Sequence, residues 1–349
     1  MKIQINSTQI LFLIIAFSLN SCSQKHTTKI AFGSCGHQDN QLPIYDVVVK
    51  HKPDLFIFLG DNIYGDTYNM DTLQAKYDRL SMKPTFQNLK KNVPIIATWD
   101  DHDFGWNDAG RHYKFKKESK DVFLDFFNEP KNSERRKREG IYTSYYYEKN
   151  GKKLQVILLD VRTFRDDLLK HTEEENKFFY DPDYVPYQHS DSTLLGTAQW
   201  KWLEKELSKP ADVRIVGSGS QFGIEYNGYE AWANFPLEQQ KFLDLIKKTK
   251  ANGVLFISGD VHYAEISKVE TPNLYPIYDV TSSGLSSRWL FATPNKNRIE
   301  GPVMENHFGL ITIDWITKNP EIKMEIWDVN DNQRIEYSIK LDEISFKKY

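Results

Sequence analysis

LFIFLGDNIYGD, residues 55–66, breaks off abruptly: five apolar residues in succession reach Gly60 and give way to Asp61, then Tyr64, then Asp66. A short apolar run closed by glycine reads as a strand built for a core. Its exit, however, delivers a carboxylate and a phenol where a plain turn would suffice.

The same break recurs along the chain. KIAFGSC (29–35) ends at Cys35, and VPIIATWDD (93–101) runs into Asp100, Asp101, His102 and Asp103. LLDVR supplies Asp160 and Arg162, VRIVGSGSQF supplies Ser218 and Gln221, and GVLFISGDVH (253–262) supplies Asp260 and His262. Between these strands, IYDVVVKH, TLQAKYDRL, VFLDFFNEP up to Pro130, TAQWKWLEKELSK and PLEQQKFLDLIKKT carry helical spacing. The order is therefore βαβα at the start. YTSYYYEKNGKKLQVILLDVR places two strands around Asn150-Gly151, the signature of a tight hairpin. YPIYDVTSSG, FGLITIDW, EIKMEIWDV and RIEYSIKL then follow as strand after strand. The expected class is α/β, two mixed sheets with helices outside, in one catalytic-sized domain. The polar residues 166–192 are expected to form a flap or rim over the site.

With 349 residues, 40% apolar and 14% aromatic, the chain can bury a large core. A net charge of −3 gives no general field for polyanions, and the basic run 135–138 is short and local, so nucleic-acid binding is not expected. At the N-terminus, Lys2 precedes an apolar run from Ile10 to Leu19 and small residues before Cys22. That run is too short to span a bilayer, which takes roughly 20 residues, and reads as an export signal. Leu19, Asn20, Ser21 and Cys22 resemble a bacterial lipobox. The resulting division is a signal over 1–21, a tether over 22–28 lipidated at Cys22, and a catalytic domain over 29–349. The protein would be a monomer anchored to the bacterial cell envelope. The alternative is a plain signal peptide with Cys22 bonded to Cys35, the only other cysteine.

In α/β sheets ligands bind beyond the carboxyl ends of the strands, so the six polar exits should converge on one cleft. Several carboxylates together repel and take up protons unless cations neutralise them, and a site with more than one metal resolves the conflict. Asp61 would bridge two ions, Cys35 and Tyr64 would serve as anionic ligands favouring a strongly Lewis-acidic ion such as Fe(III), and Asp260 and His262 could each face a different ion. Such a pair suits attack on phosphorus. Taken singly, each residue has a plainer account: Gly60-Asp61 as a turn, Cys35 as a small core residue, His102 as a satisfied histidine, and Asp160, Arg162 and Arg165 as an ion pair at a sheet edge. The order and placement of the set favour the functional account.

As a set, FGSC (32–35), LGDNIYGD (59–66), TWDDHDFGWNDAG (98–110), LLDVRTFR (158–165), QWKWLEKEL, GSGSQF (217–222), SGDVHYAEI (258–266), TSSG (281–284) and HFGLITID (307–314) resemble the PhoD-type alkaline phosphatases, within the calcineurin-like metallophosphoesterases. The resemblance implies a four-layer α/β/β/α sandwich and an exported phosphatase or phosphodiesterase that uses Fe(III) with Ca(II), through a metal-bridging oxygen, on a phosphate-ester substrate. A manganese or zinc pair is the alternative, as are a phospholipase-like diesterase and a non-catalytic binding protein on the same fold. It further implies that Cys35, Asp61, Tyr64 and His262 hold the iron, that Asp61 is shared with calcium, and that Asn107 and Asp260 sit on the calcium side. Asp101 stands where the wider superfamily has a metal-binding asparagine, which leaves Asp101 and Asn107 both open as ligands. His102 stands where a histidine contacts phosphate or protonates the leaving group, and Arg162 or Arg165 would contact substrate phosphate. The motif reads DDHD where DDHE is more frequent, and the N-terminus lacks the arginine pair of folded-state export.

Overall fold

The computed structural model describes residues 26–171, 184–225 and 228–348. Its strands are β1 (Thr27–Gly33), β2 (Leu55–Leu59), β3 (Ile95–Thr98), β4 (Thr143–Lys149), β5 (Lys152–Leu158), β6 (Leu169–Lys170), β7 (Tyr184–Val185), β8 (Val213–Ser218), β9 (Val254–Ser258), β10 (Ala264–Val269), β11 (Ile277–Ser282), β12 (Arg298–Val303), β13 (His307–Asp314), β14 (Glu321–Asp328) and β15 (Gln333–Lys340). The α-helices are α1 (Ile44–Lys50), α2 (Met70–Ser81), α3 (Pro84–Asn92), α4 (Asp101–Phe104), α5 (Lys116–Phe126), α6 (Glu134–Lys137), α7 (Gly196–Leu207) and α8 (Pro236–Thr249).

Two sheets carry the fold. One is six-stranded in the order β15-β14-β13-β1-β2-β3, the other seven-stranded in the order β12-β10-β11-β9-β8-β5-β4. β1, β2 and β3 pair in parallel, and so do β5, β8, β9 and β11, while the C-terminal strands and the β4–β5 hairpin are antiparallel. Both sheets are mixed, as expected. The hairpin turns at Asn150 (φ 52°) and Gly151 (φ 71°), the pair of positive φ angles that a two-residue turn matching strand twist requires.

The alternation along β2 explains the layering. All five residues of LFIFL are buried. Phe56 and Phe58 pack with Tyr45 and Val48 of α1, Tyr77 of α2 and Phe86 of α3. Leu55, Ile57 and Leu59 point the other way, into a core shared with β5, β8 and β9. A strand with successive side chains on opposite faces needs a cover on each, and here the covers are helices and a second sheet. On the far side of that sheet, Phe222 stacks on Phe256 of β9 at 3.9 Å, and Phe242 of α8 meets the Phe256 ring at 5.0 Å. The result is the α/β/β/α sandwich.

Local departures have identifiable causes. β1 begins at Thr27, paired with Asp314, so Thr27 and Thr28 belong to the strand rather than the tether. α3 starts with Pro84 in its first turn, where a missing N–H costs nothing. Of the polar insertion, Leu169–Lys170 and Tyr184–Val185 form a two-stranded ribbon, and its centre lies outside the described residues. So do residues 1–25, including Cys22. No helix among the described residues is long and apolar enough to cross a membrane.

Candidate metal centre

The polar strand exits meet at one lip of the sandwich because β1, β2 and β3 run in parallel, as do β5, β8 and β9. Their ends are held together by close backbone approaches. A Cβ on Gly60 would lie 2.4 Å from Asp100 Cβ, and one on Gly219 would lie 2.4 Å from Asp100 Oδ1. Several side chains at the exits are aimed by backbone that ordinary residues avoid: Cys35 (φ 60°), Asp61 (48°), Asp66 (41°), Asp108 (56°), Asp260 (81°) and His262 (53°) all lie in the left-handed region. Such strain persists where the surroundings enforce it, and it concentrates at functional sites.

Four groups of potential ligand atoms result, each within 4.8 Å: Cys35, Asp61 and His262; Asp61, Asp101 and His102; Asp100, Asp101 and Asp260; and Asp101, Asp108 and Glu230. Cys35 Sγ lies 3.3 Å from Asp61 Oδ2 and 3.1 Å from Ser283 Oγ. Tyr64 Oη is 3.0 Å from His262 Nε2. The Tyr64 ring lies between two imidazoles, stacked on His37 at 4.7 Å and tilted against His102 at 4.2 Å. Asp66 holds His102 by Nδ1, at 2.8 and 2.9 Å to its two oxygens, and accepts the backbone N–H of Asn107 at 3.0 Å. Asp101 Oδ2 accepts the N–H of Asp108 at 2.7 Å.

Burial sets the electrostatics. It pushes the Cys35 thiol up to about 12 and holds the Asp61 and Asp260 carboxyls well above the usual range, with neighbouring anions adding to the shift. Asp100 rises to about 7, burial outweighing its contact with Arg162. Asp101 goes the other way: burial alone would raise it, but the His102 and Arg162 charges bring it below the ordinary carboxylate value. Burial would also lower His102, yet the Asp101, Asp61 and Asp66 carboxylates carry it up to about 11. His262 falls to about 4, through burial and the nearby His102, and so presents a neutral imidazole. Oδ1 of Asp61, Oδ2 of Asp100 and Oδ1 of Asp101 are buried without a hydrogen bond. Orphaned buried oxygens beside a neutral imidazole, a thiol and a phenol are what cations would satisfy, so the residues fit a metal group.

Two expected residues occupy other surroundings. Arg162 is fully buried: its Nε meets Asp100, its Nη1 meets Glu230, and its Nη2 lies 3.7 Å from Asp101 Oδ1. Arg165, equally buried, sits 3.4 Å from Glu230. Both guanidiniums lie among acids within the protein rather than on an open surface. Asn107 is exposed and joins the site through its backbone, whereas Asp101 enters three of the four groups. Asp160 takes hydrogen bonds from Trp99 Nε1, the N–H groups of Ile141, Arg162 and Thr163, and Thr163 Oγ1. All of its acceptor capacity is used within the protein, which makes it a structural anchor for the loop after β5.

Asp66, Asp100, Asp108, Glu230 and Ser283 were not singled out as site residues from sequence. Asp66, Asp100, Asp108 and Ser283 sit inside the motifs LGDNIYGD, TWDDHDFGWNDAG and TSSG, so that signal was present. Glu230 lies in a loop after β8 with no pattern of its own.

A family model described as PhoD-like phosphatase matches residues 30–324. The chain belongs to the PhoD-like phosphatase family. Alkaline phosphatase D of Bacillus subtilis (strain 168) is 26% identical over 302 residues, 72% of this chain and 48% of the relative. The chain thus spans about half the length of that curated relative. Among solved structures, PhoD superposes with a TM-score of 0.74 at 17% identity, covering 91% of this chain and 70% of the other. A dimetal phosphatase from Danio rerio follows at 0.56 and 12%, covering 90% and 99%. These likenesses agree with the metallophosphatase-type sandwich seen here.

Proposed function

We propose that this PhoD-like chain hydrolyses phosphate esters, as a phosphatase or phosphodiesterase, at the cleft formed by the strand exits. One observation carries the proposal: Asp61, buried and in left-handed backbone, belongs both to the Cys35–His262 group and to the Asp101–His102 group. A carboxylate so placed would serve both sides of a two-cation site, one oxygen for each ion. On one side Cys35, Tyr64 and His262 offer thiolate, phenolate and imidazole, a set suited to Fe(III), and on the other Asp100, Asp101 and Asp260 offer oxygen only, a set suited to Ca(II). A manganese or zinc pair is the alternative. When bound, such ions supply Lewis acidity toward a phosphoryl oxygen and lower the pKa of water.

The chain's own residues do the rest. Asp66 fixes His102 by Nδ1, leaving Nε2 to donate to a phosphate oxygen or to hand a proton to the leaving group. Arg162 balances the acids that crowd the site and positions Asp100. Export and a lipid anchor at Cys22 rest on the N-terminal sequence, and place the substrate outside the cytoplasm. The test is hydrolysis of a chromogenic phosphate ester by the purified protein, with elemental analysis and a visible spectrum. Activity that chelators abolish, with iron and calcium present and a phenolate absorption band, is expected. Full activity in metal-free protein would overturn the proposal, and a colourless protein containing zinc or manganese would assign the alternative pair.

A further inference from the structure

Next to the His102 tether lies an open cavity of about 510 Å³ lined by the rings of Tyr68, Trp106, Tyr113 and Phe115 together with polar residues that include Lys114 and Asp167. Trp106 stacks on Tyr68 with centroids 5.3 Å apart and planes 13° apart, and Tyr68 stacks on Tyr113 at 5.6 Å and 22°. The two leading rings are open to solvent, 43% exposed for Trp106 and 54% for Tyr68. Among the described residues Tyr68 is the one ring that Trp106 meets, so Trp106 ends the stack. Tyr68 is braced from below by Tyr113 and Phe115, while the outer face of the stack at Trp106 is left to solvent, an apolar surface of the kind that marks a ligand-binding groove.

The stack is built on the same two loops as the site. Thr67 N–H donates to Gly105 O at 2.7 Å, Tyr113 Oη donates to Thr67 O at 2.6 Å, and Asn107, which also lines the cavity, donates its N–H to Asp66, the partner of His102. The stack and the Asp66–His102 pair are thus tied to the same stretch of backbone. We infer that Tyr68 and Trp106 form a stacking shelf for a planar aromatic group on the leaving side of the phosphoester, an aryl alcohol or a nucleoside. The inference rests on the phosphoesterase reading and names a substrate class for it. A ring entering at Trp106 extends the stack by one member, and the selectivity comes from surface overlap rather than from hydrogen bonds.

Equilibrium binding of non-hydrolysable phosphonates by calorimetry tests the shelf without relying on turnover. Wild-type protein carrying its metals should bind phenylphosphonate about tenfold more tightly than methylphosphonate, the usual worth of one stacked ring. W106A should abolish that preference and W106F should keep most of it. Equal affinities in the wild type, or a preference that survives W106A, overturns the shelf while hydrolysis of simple esters leaves the phosphoesterase reading standing. Failure to bind either phosphonate, together with no hydrolysis, removes both. The methylene analogue of adenosine 5′-monophosphate separates the two sources: tighter binding than phenylphosphonate assigns a nucleoside, weaker binding a simple aryl group.

Discussion

Cys35 Sγ and Asp61 Oδ2 stand 3.3 Å apart, each at the end of a neighbouring parallel strand and each in left-handed backbone. A thiol and a carboxyl that close, both buried, each hold their proton more tightly in the absence of a cation and release it when a cation arrives. The pair is therefore a sensitive point at which to probe the site.

Replacing Asp61 with Ala removes the group common to two ligand sets. Metal content should fall, and kcat/KM on a chromogenic ester should drop by more than about 100-fold, beyond the 10- to 100-fold typical of residues that only support a ligand. Elemental analysis alongside kinetics checks it, and unchanged metal stoichiometry would count against the shared role.

Asp66→Asn keeps shape but removes the charge that holds His102. A loss in kcat of about 10- to 100-fold with little change in KM is expected, as for a residue acting through its neighbour. A change confined to KM would mean that Asp66 contributes to binding instead.

Arg162→Met leaves Asp100 and Glu230 buried with no guanidinium between them. Breaking a buried ion pair from one side costs about 3–5 kcal/mol, so urea unfolding should shift by that order. Lysine should recover only part, because one ammonium cannot span both acids as the fork does. A fully stable R162M would show that Arg165, 3.4 Å from Glu230, and bound cations compensate the two acids without Arg162.

Glu238 Oε2 gathers Trp200 Nε1 at 2.7 Å, the N–H groups of Leu194 and Leu195 at 3.0 and 3.2 Å, and Thr193 Oγ1 at 3.0 Å, tying α8 to the start of α7. Burial would raise its pKa, but these donors outweigh burial and lower it. A depressed carboxyl pKa stabilises the fold above the unfolded value, and that contribution is lost as pH falls through the folded value. E238Q should therefore lose about 1–3 kcal/mol at pH 7. The gap to wild type should narrow below about pH 4, the unfolded glutamate value. Denaturant melts at the two pH values decide it.

Gly60→Ala places a methyl 2.4 Å from Asp100 Cβ at φ 109°. Strain of about 1–3 kcal/mol is expected, with displacement of Asp100 from Asp101 and Asp260. Metal affinity, measured by titration, should weaken alongside stability.

Much of this was legible in the chain. The apolar runs identified the central strands, and the polar residue after each run identified the lip. Helix α3 was missed although Pro84 marks its start, because its nine residues bury only Phe86 and Leu89, too few apolar positions to establish a helical spacing. β10 and β12 were missed as strands: AEISKV follows directly on the site residues, and RIEGPV carries an internal Gly-Pro. Arg162 reads as a phosphate contact because it shares the strand-exit pattern, and only its surroundings show it buried against Asp100, Asp101 and Glu230.

Local sequence determined which residues leave strands as polar groups, since the period-2 alternation and the glycine stops are properties of consecutive residues. What it could not determine is which of those groups face one another. That Asp101 sits with Asp61 and Asp260, that Glu230 closes the far side, and that Cys35 meets Asp61 rather than solvent follow from strand order across two sheets and from left-handed turns beyond the strand ends, where alternation no longer dictates side-chain direction.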